Sequence, residues 1–154
     1  MQPDIAPPEF RLATPADAEI VLDLMREYYA FDGHHYHREL ARTALLGLLN
    51  NSGFGLIWLV LGSGQPVGYI VLCFGYSLEC HGRDAFIDEL YLIESHRRRG
   101  WGRKTIDFVI TQSRQHDVRA IHLEVVRRNA SAFEFYRKLG FQDHNHHLMS
   151  LRVE

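Results

Sequence analysis

Past the middle of this chain a basic, glycine-bearing turn, Arg97-Arg98-Arg99-Gly100-Trp101-Gly102, separates two kinds of patterning. Before it the sequence reads as successive strands. Leu56 to Leu61 is apolar and partly β-branched, Gly62-Ser63-Gly64-Gln65-Pro66 is a turn, and Val67 to Phe74 is a second strand, so the pair predicts a hairpin. Tyr76 to Asp84 reads as a polar loop and Ala85 to Ile93 as a third strand. After the turn comes alternation: a helix over about Arg103 to Gln115, a strand Ala120 to Val126, a helix Ala130 to Leu139, and a terminal strand pair within Phe141 to Val153. Hairpins are antiparallel, whereas strand–helix–strand alternation needs a parallel crossover. The expectation is a mixed, mostly antiparallel sheet in one α/β (α+β) domain, flanked by about four helices and spanning residues 1–154, with residues 1–8 as a loose proline-bearing arm.

The start of the chain supplies two of those helices. Thr14-Pro15-Ala16-Asp17 combines a capping hydroxyl, proline at the first helical position and an acid three residues after the cap. Ile20, Val21, Leu24, Met25 and Tyr28 then repeat at helical spacing to about Ala30. Leu40, Ala44, Leu45, Leu48 and Leu49 mark a second helix, ended by Asn50-Asn51-Ser52-Gly53.

A chain of 154 residues, 46% hydrophobic and 23% charged, suits one globular domain with a sizeable core. A net charge of −2 points away from a general nucleic-acid or membrane binder. Two cysteines, Cys73 and Cys80, make no disulfide framework, and the N-terminus lacks a basic start and an apolar stretch, so a cytosolic protein is expected.

The turn is suited to a phosphate. Backbone N–H groups at a helix N-terminus attract anions, glycines permit close approach, and arginines add charge around the rim. A P-loop would need its Lys-Ser/Thr pair after a G-x-x-x-x-G spacing that is absent here. A dinucleotide fingerprint would need a third glycine where Thr105 stands, although Glu124 lies about twenty residues on, as that motif wants. A third reading, a CoA diphosphate loop, competes with these two.

Arg97-x-x-Gly100-x-Gly102 resembles the Q/R-x-x-G-x-G/A signature of the GNAT superfamily of N-acetyltransferases, in its small-molecule and diamine-acetylating branch. Ile87-Asp88-Glu89-Leu90-Tyr91-Leu92 resembles the strand before that loop. Asn129 with Ala130 to Phe141 is similar to the family's fourth helix, with its N-x-x-A…Y…L-G-F pattern. The resemblance covers residues 85 to 141. It implies a fold in which two parallel strands splay at a bulge and acetyl-CoA wedges between them. Leu92 and Ile93 would pair with the pantetheine arm. Arg97, Arg98, Arg99, Gly100, Trp101, Gly102 and Arg103 would hold the diphosphate, and Asn129, Phe135 and Tyr136 would line the cofactor arm.

Tyr136 stands where the family places its general acid, and Asp88, Glu89 and Glu124 are alternative general bases for a protonated amine. Tyr29, Phe31, Asp32 and Glu79 are candidate walls for a cationic acceptor. The activity implied is acetyl transfer from acetyl-CoA to a primary amine, a small or polyamine-like one, by direct attack in a ternary complex. A protein N-terminus or lysine is the alternative acceptor, and a non-catalytic acyl-CoA-binding module the alternative of another class. The resemblance also allows a homodimer. Ten histidines, among them His34, His35, His37, His144, His146 and His147, show no acid or cysteine at ligand spacing, so no metal is expected.

Overall fold

The computed structural model describes residues 6–153, and these divide into two compact units that meet between Leu123 and Glu124. The expected arm over residues 1–8 lies mostly outside the described residues. The first unit is built on a five-stranded sheet in the order β1-β2-β3-β4-β5: β1 Glu9–Leu12, β2 Gly55–Gly62, β3 Gln65–Ser77, β4 Gly82–Leu92 and β5 Ala120–His122. The first four strands are antiparallel neighbours, and β4 with β5 is the parallel pair. Three helices belong to this unit: α1 Ala18–Asp32, entered through a 3₁₀ turn Pro15–Asp17, α2 Arg38–Leu49, and α3 Trp101–Gln115. The second unit contains α4, Ala130–Lys138. The mixed sheet, its parallel pair and the four helices agree with the expected fold class. No helix among the described residues is long and apolar enough to cross a membrane.

Strand β2 shows why an apolar run without alternation belongs in the centre of a sheet. Ile57, Trp58, Leu59 and Val60 are all buried, so both faces are covered. Ile57 and Leu59 face a core formed with Val21, Leu22 and Leu24 of α1 and Leu45 of α2. On the other face Trp58 meets Phe108 of α3 edge-on, and Val60 packs with Val67, Leu92 and Trp101. The entry to α1 is fixed electrostatically. Asp17 accepts hydrogen bonds from the Thr14 N–H and Oγ1 and forms a bidentate pair with Arg11, and Arg11 holds its carboxyl down at about 2.

Two glycines let the strands approach closely. A Cβ at Gly68 would lie 2.2 Å from the Tyr91 carbonyl oxygen, and one at Gly55 would lie 2.2 Å from that of Leu72. Between β3 and β4 the register passes from Val71↔Glu89 to Leu72↔Ile87, leaving Asp88 as the extra residue of a β-bulge.

Three expectations need correction. The segment Tyr76 to Asp84 is mostly hairpin: Gly75 pairs with Asp84, Tyr76 with Arg83 and Ser77 with Gly82, so only residues 78–81 turn. The Arg83 guanidinium stacks 4.7 Å from the Phe74 ring, which gives this polar stretch a packed side. Strand β5 stops at His122 instead of Val126. No strand forms within Phe141 to Val153 among the described residues. A strand exists through its ladder, and here Leu148 and the alternating Met149, Leu151 and Val153 are exposed, with no strand partner among the described residues.

Candidate active site

The parallel ladder joins β4 to β5 at only three pairs, ending at Phe86↔His122, whereas β4 runs on to Leu92. Beyond the ladder, the β5-side edge of β4 from Ile87 to Leu92 carries no strand among the described residues. The strand ends in a 3₁₀ turn, Glu94–His96, that leads to α3. Arg98 and Gly100 both take left-handed backbone angles, φ 57° and 77°, and so curl the chain round the start of the helix.

The start of α3 is distinctive. No side chain caps it, and its first turn holds no acid. Helices α1 and α2 carry Glu19 and Glu39 at that place. Lys104 donates to the Gly100 carbonyl, but among the described residues the N–H groups of residues 98–103 donate to no protein oxygen. Six consecutive donors, a helix dipole and Arg98, Arg99 and Arg103 around them make a surface with the charge and the donors that an anion needs. The side chain of Trp101 points elsewhere: it is 3% exposed, in the core against His96.

Residues Leu92 and Ile93 divide their backbone groups. The Ile93 N–H donates to the Val67 carbonyl, so it belongs to the β3 side. Strand alternation turns Leu92 toward the open edge, and there its carbonyl accepts 2.7 Å from Arg97 Nε. The same guanidinium lies 4.2 Å above the Phe31 ring and 5.2 Å from that of Tyr91. Arg97 therefore closes over the end of β4 rather than over the turn at residues 98–103. Tyr28, Phe31, Leu90, Tyr91, Leu92 and Arg97 line one shallow pocket here.

Glu89 is the most constrained acid of the site. Both carboxylate oxygens accept phenol hydrogen bonds, one from Tyr29 and one from Tyr69, each 2.6 Å. Burial pushes its carboxyl up, and the two phenols counter this only in part. Burial, with the Glu89 charge added, pushes both tyrosines up in turn. Asp88 sits in the bulge with an open surface, although the surrounding protein still raises it. Cys73, beneath the two acids, is pushed by burial to about 11 and so stays a thiol.

Tyr69 was not among the residues singled out from sequence. The bulge sets Val71 opposite Glu89, and Tyr69 is the diagonal neighbour on the same face. A tyrosine inside the apolar run Val67 to Phe74 was the signal available.

The expected acceptor wall is partly assembled. Asp32 pairs with His34 Nε2 at 2.8 Å, Phe31 lies under Arg97, and Tyr29 holds Glu89. Glu79 belongs to the turn between β3 and β4, at the other end of β4 from Leu92. At about 3.4 Å per residue it stands some 25 Å from Glu89, so it does not share that wall.

The remaining candidates lie in the second unit. The Asn129 Oδ1 accepts the Ala132 N–H and so caps α4. Tyr136 is half-buried between Phe135 and Phe141, and burial raises its phenol, which keeps it protonated at neutral pH. Glu124 is exposed.

Comparison with known proteins agrees with this geometry. Residues 18–141 match the model of the acetyltransferase (GNAT) family. Over 136 residues the chain is 28% identical to an uncharacterized N-acetyltransferase of Methanocaldococcus jannaschii, covering 86% of this chain and 60% of that protein, so it spans less than two thirds of that relative's length. An integron cassette protein from the mobile metagenome of Cole Harbour Salt Marsh superposes with a TM-score of 0.84 at 28% identity, over 94% of this chain and 90% of that one. A predicted acetyltransferase with acetyl-CoA from Clostridium acetobutylicum shares the fold, with a TM-score of 0.79 at 16% identity over 94% and 96% of the two chains.

Proposed function

The chain belongs to the GNAT family of acetyltransferases; on that premise we propose that it moves the acetyl group of acetyl-CoA onto a small primary amine by direct attack in a ternary complex. The observation that carries this reading is the run of six N–H groups without a protein acceptor at the start of α3, beside the open edge of β4. In this reading residues 98–103 hold the diphosphate with their peptide nitrogens. Leu92 pairs with the pantetheine arm once Arg97 releases its carbonyl. The family match crosses from the first unit into the second, which supports one acetyltransferase domain.

Glu89 is the proposed base. An alkyl ammonium must lose a proton before it can attack. A buried carboxylate with a raised pKa takes that proton more readily than an ordinary one, directly or through a water. The amine nitrogen then bonds to the thioester carbon, the carbon–sulfur bond breaks, and the sulfur leaves with the electron pair. On the resemblance alone, Tyr136 returns a proton to that sulfur and recovers one from solvent. The negative Glu89, Asp88 and Asp32 with the rings of Tyr28 and Phe31 favour a cationic acceptor over a neutral one.

Thiol release from acetyl-CoA across a panel of small amines, polyamines and peptides tests the reading. Glu89→Gln is expected to lower kcat/KM by about 10²-fold. The working form of Glu89 is the carboxylate and its pKa is raised. Activity of the parent should therefore fall on acidification at a pH above the ordinary glutamate value of about 4.3, and that limb should vanish in the variant. A variant within twofold of the parent, with the limb retained, would remove Glu89 from the role. CoA binding without thiol release for any amine would sink the enzymatic reading itself.

A further inference from the structure

A second cluster lies at the other end of β4. Cys80 Sγ stands 4.0 Å from His122 Nε2, Asp84 Oδ2 stands 3.3 Å from the same nitrogen, and the three ligand atoms all lie within 4.8 Å of one another. Three separate features build this arrangement. The parallel ladder pairs Asp84 with Ala120 and Phe86 with His122, which puts Asp84 and His122 on one face of the sheet. Across the antiparallel ladder from Asp84 is Gly75, where a Cβ would lie 2.5 Å from Asp84 Oδ1; the glycine gives the carboxylate room to lie over β3. The β3–β4 turn delivers Cys80, whose N–H donates to Ser77 Oγ, and the following His81 takes a left-handed φ of 59° with its N–H on the Leu78 carbonyl.

The geometry excludes one chemistry and fits another. A nucleophilic relay needs the thiol and the carboxylate on opposite nitrogens of the imidazole. Here both face Nε2, so His122 cannot take a proton from Cys80 while Asp84 steadies its other side. Convergence on one point is what a metal ion requires. Tetrahedral zinc, with metal–sulfur about 2.3 Å and metal–nitrogen or metal–oxygen about 2.0–2.2 Å, sets neighbouring ligand atoms roughly 3.4–3.6 Å apart. The two measured separations bracket that range. A thiolate, a carboxylate and a neutral imidazole carry two negative charges, which balance a divalent ion. Arg83, next to Asp84 in sequence, is directed to the opposite face with its guanidinium on the Phe74 ring.

We propose that Cys80, Asp84 and His122 form a binding site for a divalent ion of the zinc type. The three residues are partly buried, so a water or an outside ligand completes the fourth position. Binding deprotonates the Cys80 thiol and releases that proton to solvent. The ion ties the β3–β4 turn to the last residue of β5, across a parallel ladder of only three pairs. Its role is structural: Asp84 lies five residues back along β4, about 17 Å of strand, from Glu89. This inference stands apart from the acetyltransferase reading, because it uses none of the residues placed in that site.

Cobalt titration of the purified full chain tests it. One equivalent of Co²⁺ should produce a thiolate-to-metal charge-transfer band, displaced by one equivalent of Zn²⁺, with release of about one proton per chain. Cys80→Ser and His122→Ala should abolish the band, and Cys73→Ser should keep it. Zn²⁺ should raise the Tm of the parent and of Cys73→Ser but not of Cys80→Ser. Asp84→Asn, the mildest change, should weaken binding by more than the about 10–100-fold seen for outer-shell substitutions. Circular dichroism checks that each variant is folded. A parent without the band at excess Co²⁺, or a band that survives in folded Cys80→Ser, overturns the site. Binding without a thiolate band would place the metal on the surface histidines and overturn it equally.

Discussion

The chain begins two of its helical segments in opposite ways. At Thr14 to Asp17 the chain answers its own helix start: a proline stands at the first position, and an acid accepts the Thr14 N–H and pairs with Arg11. At Gly100 to Lys104 there is no side-chain cap, no acid, and a basic first turn against the helix dipole. The first start is complete within the protein. The second leaves its first N–H groups without an acceptor among the described residues, and on the proposed reading an anion from outside supplies it. On that reading the contrast separates a helix end that serves the fold from one that serves a ligand.

The strongest way to break this contrast is Gly102→Val. A branched side chain there should hold the phosphates off the peptide nitrogens and weaken CoA binding by about 100-fold, the worth of roughly two hydrogen bonds to a charged group. Unaltered affinity by calorimetry would mean that α3 starts bare for some other reason. A smaller effect is expected at the other start. Asp17→Ala should lower stability by about 1 kcal/mol and leave CoA affinity alone. Because the folded carboxyl sits near 2, below its unfolded value, its contribution is fully present above about pH 4 and is lost as the pH falls from there toward 2. Urea unfolding of the parent and Asp17→Ala should therefore differ at neutral pH and converge near pH 2. The smallest effect should come from salt. Raising ionic strength should weaken CoA binding several-fold through the rim arginines, while the Asp17 difference barely moves. Equal salt sensitivity of the two would dissolve the distinction.

How much of this could be read in advance depended on how local the cause was. Thr14-Pro15-Ala16-Asp17 signals its own conformation, because cap, proline and acid act within one turn. The uniformly apolar β2 and the basic glycine turn were legible for the same reason. The hairpin through Tyr76 and Arg83 was not, since turn-forming residues there hide a cross-strand pair and an arginine on an aromatic ring. The clamp on Glu89 needed Tyr69, twenty residues away, and the bulge that decides which residues stand opposite. The Cys80, Asp84 and His122 cluster was hidden further, because the thiol and the imidazole are 42 residues apart and meet through the parallel ladder. Spacing along the chain points instead to the histidine groups at His34, His35 and His37 and at His144, His146 and His147. Strand alternation suggested a terminal pair within Phe141 to Val153, but alternation is a condition for a ladder and not a cause of one.

The glycine at position 68 has a consequence for anyone who would redesign this protein. It lies opposite Leu92, and any side chain there would press on the carbonyl of Tyr91. The spacing of the last rungs of β3 and β4, and with it the placing of everything that hangs on Leu92, is therefore set by a missing methyl group. On the proposed reading, a library meant to change acceptor preference would vary the helical side, at positions such as 28 and 31. On the strand side it has one position where only hydrogen will do.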